Sequence, residues 1–315
     1  MAAPSPFTRP FRFGIQASSA TNRTAWTELA RKVEDLGYAT LTVADHLDDQ
    51  FATTPALMAA ADATTTLRLG ALVYANDYHH PVLLAKEAAT LDVLSEGRLE
   101  LGMGAGWLPG DYNGAGIAFD PPGVRIARVA EAVQVVKGLL GDEPCHFEGT
   151  HYRVDMNGTP KPVQRPHPPI LMGGGGRKML HLAAREADII GLNVSMASGS
   201  IGESSGPSAT AEATAQKVTW IREAAGARFS TLELQVRIHL ALITDDIEAA
   251  AVMLSPAFGL TPAQGLETPH ALAGSVEQIA DTCLARRDRF GISYIGLSAD
   301  ALDDFAPVVA RLAGQ

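Results

Sequence analysis

The run Gly173, Gly174, Gly175, Gly176, Arg177 stands between an apolar stretch and a helical pattern, where its chemistry is easiest to name. Four consecutive glycines cost backbone entropy and give no side chain to a core, so the run is expected to serve a ligand. Free N–H groups and the dipole at a helix start favour an anion, and an arginine adds a bidentate contact; phosphate is therefore expected, with a sharp turn as the alternative. The pair Asp45–His46 could move a proton near neutral pH, although taken alone it also reads as an N-cap beside a solvated histidine. The segment Gly104, Ala105, Gly106, Trp107 combines close backbone approach with an aromatic face; Trp107 packing under its own loop is the alternative. It is not a dinucleotide fingerprint, because Leu108 or Pro109 stands where the last glycine would be needed.

Other candidates are less specific. Arg237 and His239 alternate, which places both on one strand face, and an inward orientation demands a buried Asp or Glu partner or a function. Tyr78, His79 and His80 suggest a metal only superficially, since adjacent residues point apart and no third ligand is near; no metal is expected. Asn193 reads as a pocket residue or a turn cap, and Asp245, Asp246 and Glu248 as caps of the helix that follows them.

These residues fall at the ends of a repeated element pattern. Residues 67–107 read as strand, loop, helix and strand, the helix opened by Pro81 and the second strand ending at the glycines. Across the chain, strands are expected at 12–16, 40–44, 67–73, 99–103, 169–173, 188–192, 233–242 and 293–297. Helices are expected at 26–36, 55–64, 82–94, 125–140, 178–185, 210–225, 247–254, 276–290 and 302–312, one of them belonging to an insertion. This alternation predicts a parallel α/β sheet, and eight strands fit a closed barrel whose loops converge at the strand C-termini. Three segments break the alternation: a hairpin and proline-rich connection at 142–165, a small polar loop or lid at 197–208, and an irregular stretch at 256–270. No internal repeat or boundary appears, so residues 1–315 are expected to form one domain.

With 46% hydrophobic and 19% charged residues, the chain can bury a large core. Cys145 and Cys283 supply neither a disulfide framework nor a thiolate metal site, which favours a reducing cytoplasm. No apolar run reaches the roughly 18 to 20 residues of a membrane helix, and the first residues lack the apolar core of a signal peptide. The formal charge of −10 argues against a nucleic-acid partner while leaving room for an anionic cofactor.

The block HPVLLAKEAATLDVLSEGRLELGMGAGW resembles the central signature of the luciferase-like monooxygenase superfamily, whose members bind reduced flavin or deazaflavin coenzyme F420 on a TIM barrel. LTVADHL, FDPPGVRIARVAEAVQVVKGLL, PVQRPHPPILMGGGGRKMLHLAAREADIIGL and AGSVEQIADTCLARRDRFGISYIGL extend the likeness over nearly the whole chain, the last three looking most like the F420-dependent branch. The resemblance implies a (β/α)8 TIM barrel with insertion segments, Asp45 against the coenzyme ring and His46 facing substrate. It also implies a non-proline cis peptide at Leu72–Val73 behind the ring, with Tyr74, Ala105 and Gly106 among the cofactor contacts. The family's sugar-phosphate dehydrogenase has a glutamate where this chain has Trp107, which shifts the expectation to a larger apolar or aromatic substrate.

The reading that follows is an F420-dependent oxidoreductase. Its catalytic residues would be His46, Asp45 and Trp107, with phosphate at Gly173 to Arg177 and Asn193 in the same pocket. An FMN-dependent monooxygenase using reduced flavin and oxygen is the first alternative, and a flavin- or deazaflavin-binding protein without turnover the second. The expected partners are a small-molecule substrate and a second copy of the chain.

Overall fold

The computed structural model describes residues 9–196 and 199–315. Its strands, in chain order, are β1 (Arg12–Gln16), β2 (Thr40–Val43), β3 (Arg68–Ala71), β4 (Tyr74–Ala75), β5 (Leu99–Gly104), β6 (Cys145–Glu148), β7 (Arg153–Met156), β8 (Ile170–Gly174), β9 (Ile189–Leu192), β10 (Glu233–Arg237), β11 (Leu240–Ile243), β12 (Ala271–Gly274) and β13 (Ile292–Ser298). Parallel pairing runs β3-β2-β1-β13-β10-β9-β8-β5 and closes from β5 back to β3. The result is the expected eight-stranded (β/α)8 TIM barrel, in which β4 continues the third strand after a break and pairs again with β5. The Leu72–Val73 peptide in that break is cis, as the resemblance implies.

The sequence marks several helix ends chemically. Ser275 and Gln278 form a reciprocal cap at the start of Val276–Phe290, and Gly291 ends it with φ 80°. Asp246 similarly caps Ile247–Leu254. Both helices, and Leu302–Leu312, have the bounds expected from sequence.

The expected strand 233–242 is instead two strands. Ile238 N–H still donates to Gly296 O in the barrel at 2.8 Å, but His239 N–H donates to His270 O at 2.9 Å. The backbone thereby exchanges one partner for another, and β11 leaves the barrel to pair in parallel with β12. The hairpin β6–β7 forms as expected and turns at Gly149. Within the segment 197–208, Ala197 and Ser198 lie outside the described residues; its remainder contains the turn Glu203–Ser205 and leads into the short helix Gly206–Ala209 rather than forming a plain loop. Helices Pro109–Ala115 and Pro262–Glu267 were not anticipated, although each opens with proline at its first position.

Paired charges close the N-terminal end of the barrel. Arg12 donates to both carboxylate oxygens of Glu233, at 2.8 and 2.7 Å, and to Glu100, which also accepts from Arg68 Nε at 2.7 Å. The Arg12 guanidinium lies 3.9 Å from the ring centre of Tyr294. Burial alone would lower the Arg12 pKa, but Glu100, Tyr294 and Glu233 outweigh it and hold it above its ordinary value. Both cysteines are buried and free. Among the described residues, no helix is long and apolar enough to cross a membrane.

Candidate functional site

The C-terminal strand ends surround a cavity of about 920 Å³. Asp45, His46, Leu72, Val73, Ala105, Gly106, Trp107, Gly173 to Arg177, Asn193, Arg237 and His239 all line it. Tyr74 does not: it is buried with its hydroxyl 2.9 Å from Thr54 Oγ1. Strand alternation explains the difference, because Val73 and Tyr74 point to opposite sides of the backbone.

The glycine runs have a partly different purpose from the one expected. A Cβ on Gly173 would lie 2.4 Å from Gly191 O, and one on Gly175 would lie 2.3 Å from Val194 O. Those glycines are required because β8 and β9 approach closely at their ends, which corrects the expectation that the whole run serves a ligand. A Cβ on Gly176, by contrast, would meet nothing within 4 Å. Gly176 begins the helix Arg177–Glu186, which has no side-chain cap, so its first-turn N–H groups remain suited to an anion. The Arg177 side chain is 59% exposed and 3.8 Å from Glu223, so the expected bidentate anion contact is not formed in advance.

At the other end, Asp45 braces the broken third strand. Its Oδ2 accepts from Ala75 N–H at 2.9 Å and lies 2.9 Å from His79 Nε2, while Oδ1 accepts from Thr53 Oγ1 at 3.2 Å. His80 instead uses Nδ1 to accept Val82 N–H at the start of the helix Pro81–Leu94. His46 Nδ1 is 2.7 Å from Asp111 Oδ2, and its ring meets Trp107 edge-on at 5.8 Å. Asp111 was not anticipated; Pro109 followed by an acid in the first turn was the sequence signal for its helix. Arg125 supports the Trp107 loop by donating to Ala105 O at 3.1 Å and to Gly106 O.

The third group surrounds the end of β10. Among the described residues, no carboxylate hydrogen-bonds to Arg237; its donors reach Gln16 Oε1 at 2.8 Å, Ser298 Oγ and the carbonyls of Ile238 and Gly296. Burial lowers its pKa to about 10, Asp300 partly opposing the shift. Of the two alternatives the sequence left open, a carboxylate partner or a functional role, the first is not met: the hydrogen-bond partners are neutral acceptors. His239 Nε2 is 3.2 Å from Asn193 Oδ1, and burial followed by the Arg237 charge lowers its pKa to about 4, leaving it neutral at pH 7. Asn193 Oδ1 also accepts Val194 N–H at 2.8 Å, so its pocket and turn-cap roles coincide. Lys217, lowered to about 8 by burial, donates to the carbonyls of Asn193 at 2.7 Å and Ser208 at 2.6 Å. Gln235 lines the cavity with its buried Nε2 unpaired.

A barrel with this open C-terminal end and broken third strand is matched by the family profile described as luciferase-like monooxygenase, over residues 7–290. The chain belongs to that family. It is 29% identical over 187 residues to the FMNH(2)-dependent dimethylsulfone monooxygenase of Pseudomonas putida, covering 56% of this chain and 51% of that one. The chain therefore spans about half the length of the curated relatives it matches. Among solved structures, the coenzyme F420 dependent tetrahydromethanopterin reductase from Methanopyrus kandleri aligns with TM-score 0.76 and 18% identity, covering 96% of this chain and 100% of that one. The EDTA monooxygenase from Chelativorans aligns with TM-score 0.78 and 16% identity, covering 96% and 93%. These two likenesses concern the fold.

Proposed function

We propose that this chain is an oxidoreductase that transfers a hydride between deazaflavin coenzyme F420 and a small organic substrate. The observation that carries the reading is one cavity with two chemically different ends: an uncapped helix start at Gly176 and a histidine–tryptophan pair at His46 and Trp107. The residues fit such a coenzyme, since the cavity wall also offers an unpaired Gln235 Nε2 and the space beside Gly176 is open.

The N–H groups at the helix start that follows Gly176 would hold the phosphate, with the Arg177 side chain turning from Glu223 to join them. Leu72, Val73, Ala105, Gly106 and Asn193 would border the ring, with Asp45 maintaining the broken strand behind it. When bound, the coenzyme supplies the hydride donor or acceptor. His46 would handle the accompanying proton, and Trp107 would place an apolar or aromatic substrate beside it.

FMN-dependent monooxygenase chemistry is the second reading, favoured by the sequence likeness to the dimethylsulfone enzyme. Parallel titrations of the purified protein with F420 and FMN, followed by fluorescence, separate them. At least tenfold tighter binding of F420 is expected. Tighter FMN binding together with oxygen consumption by the reduced-flavin complex would overturn the reading.

A further inference from the structure

We infer that Asp111 is the positioning residue for His46, fixing the imidazole so that Nε2 is the nitrogen available for proton transfer in the cavity. The inference deepens the proposed function and rests on it for the identity of the reaction, but its geometry stands independently. Asp111 Oδ2 is shared: His46 Nδ1 lies 2.7 Å away and Tyr78 Oη 3.3 Å away. An ionised carboxylate can only accept, so the tyrosine hydroxyl and the imidazole must both donate to it. That assigns the proton to Nδ1 and leaves a lone pair on Nε2.

Other contacts hold this unit in place. The next residue, Tyr112, donates its hydroxyl to Asp77 Oδ2 at 3.0 Å, and Arg128 fixes Asp77 at 2.8 Å. The helix Pro109–Ala115 is therefore anchored beyond Asp111, while Trp107 confines the His46 ring from one edge. His46, Tyr78 and Asp111 all stand in the cavity wall, and with side-chain exposures of 21% for His46 and 7% for Asp111 the imidazole is the more open of that pair. In the proton step, a substrate O–H bond breaks, an Nε2–H bond forms and the electron pair stays on oxygen. The resulting imidazolium faces the Asp111 carboxylate; the reverse step returns the proton.

Nitrogen-15 NMR of the full chain reads the imidazole tautomer directly, without substrate or coenzyme. In the native protein at pH 8, His46 is expected as the Nδ1–H tautomer. Asp111→Asn and Asp111→Leu should each shift the tautomer ratio toward Nε2–H by about tenfold or more, the scale of a lost charge-assisted hydrogen bond. Tyr78→Phe should retain the native tautomer. The assignment is overturned if native His46 carries its proton on Nε2, or if the folded Asn variant leaves the ratio unchanged. F420 titration of the same proteins distinguishes failure of this arrangement from failure of the coenzyme reading.

Discussion

The two ends of the barrel interior treat charge in opposite ways. At the N-terminal end, Arg12 and Arg68 are joined to Glu100, and Arg12 also to Glu233, in a closed set of opposite charges. At the C-terminal end, among the described residues, the hydrogen bonds of Arg237 go to neutral acceptors, Lys217 is bound to two carbonyls, and the helix start at Gly176 has no side-chain cap. Both ends belong to the same sheet, so fold alone does not determine the contrast. Paired buried charges satisfy one another inside the closed barrel, whereas positive groups without carboxylate partners leave electrostatic potential available to an anionic ligand. His46 follows neither pattern, because it meets a carboxylate, Asp111, through Nδ1 alone within the same cavity wall.

The largest expected effect breaks the paired end. Glu100→Ala leaves Arg68 without its carboxylate and Arg12 with Glu233 alone, and should destabilise the protein by about 3 kcal/mol, the low end for a broken buried pair because the arginines retain some solvent contact and Arg12 keeps Glu233. Urea unfolding checks this, and a loss below about 1 kcal/mol would remove the distinction between the two ends. His46→Ala should do the reverse, leaving urea stability within about 1 kcal/mol while reducing turnover by about a hundredfold or more. Steady-state kinetics and unfolding measured on one preparation decide the matter; a stability loss with normal turnover would make His46 structural.

Taken per pH unit, the smallest effect concerns pH. His239 falls from its ordinary 6.5 to about 4, so between these values the unfolded chain binds more protons and stability rises with pH. Lys217 falls from 10.5 to about 8, giving a second rise across that alkaline window. Each slope is at most about 1.4 kcal/mol per pH unit, the value for one proton. Lys217→Met should abolish the alkaline contribution and leave the acidic one. Parallel urea curves for native and variant protein from pH 8 to 10.5 would refute this account of Lys217.

The alternation of short apolar strands with helical patterns determined the barrel, because those signals are local and the strand recurs eight times. The same locality fixed Val276–Phe290, where Ser275 and Gly291 mark both ends. Asp45, His46, Trp107 and the Gly173 to Arg177 segment were legible as site candidates because each follows a strand at the barrel's loop end. Tertiary structure decided how those candidates are used. It placed Asp111 beside His46 across 65 positions of sequence, turned Tyr74 to Thr54, and gave Arg237 neutral partners. It also showed that Gly173 and Gly175 accommodate a neighbouring strand, while Gly176 leaves open space. Residue spacing identifies a strand end, but the atom facing it belongs to a distant part of the chain and is known only when the barrel closes.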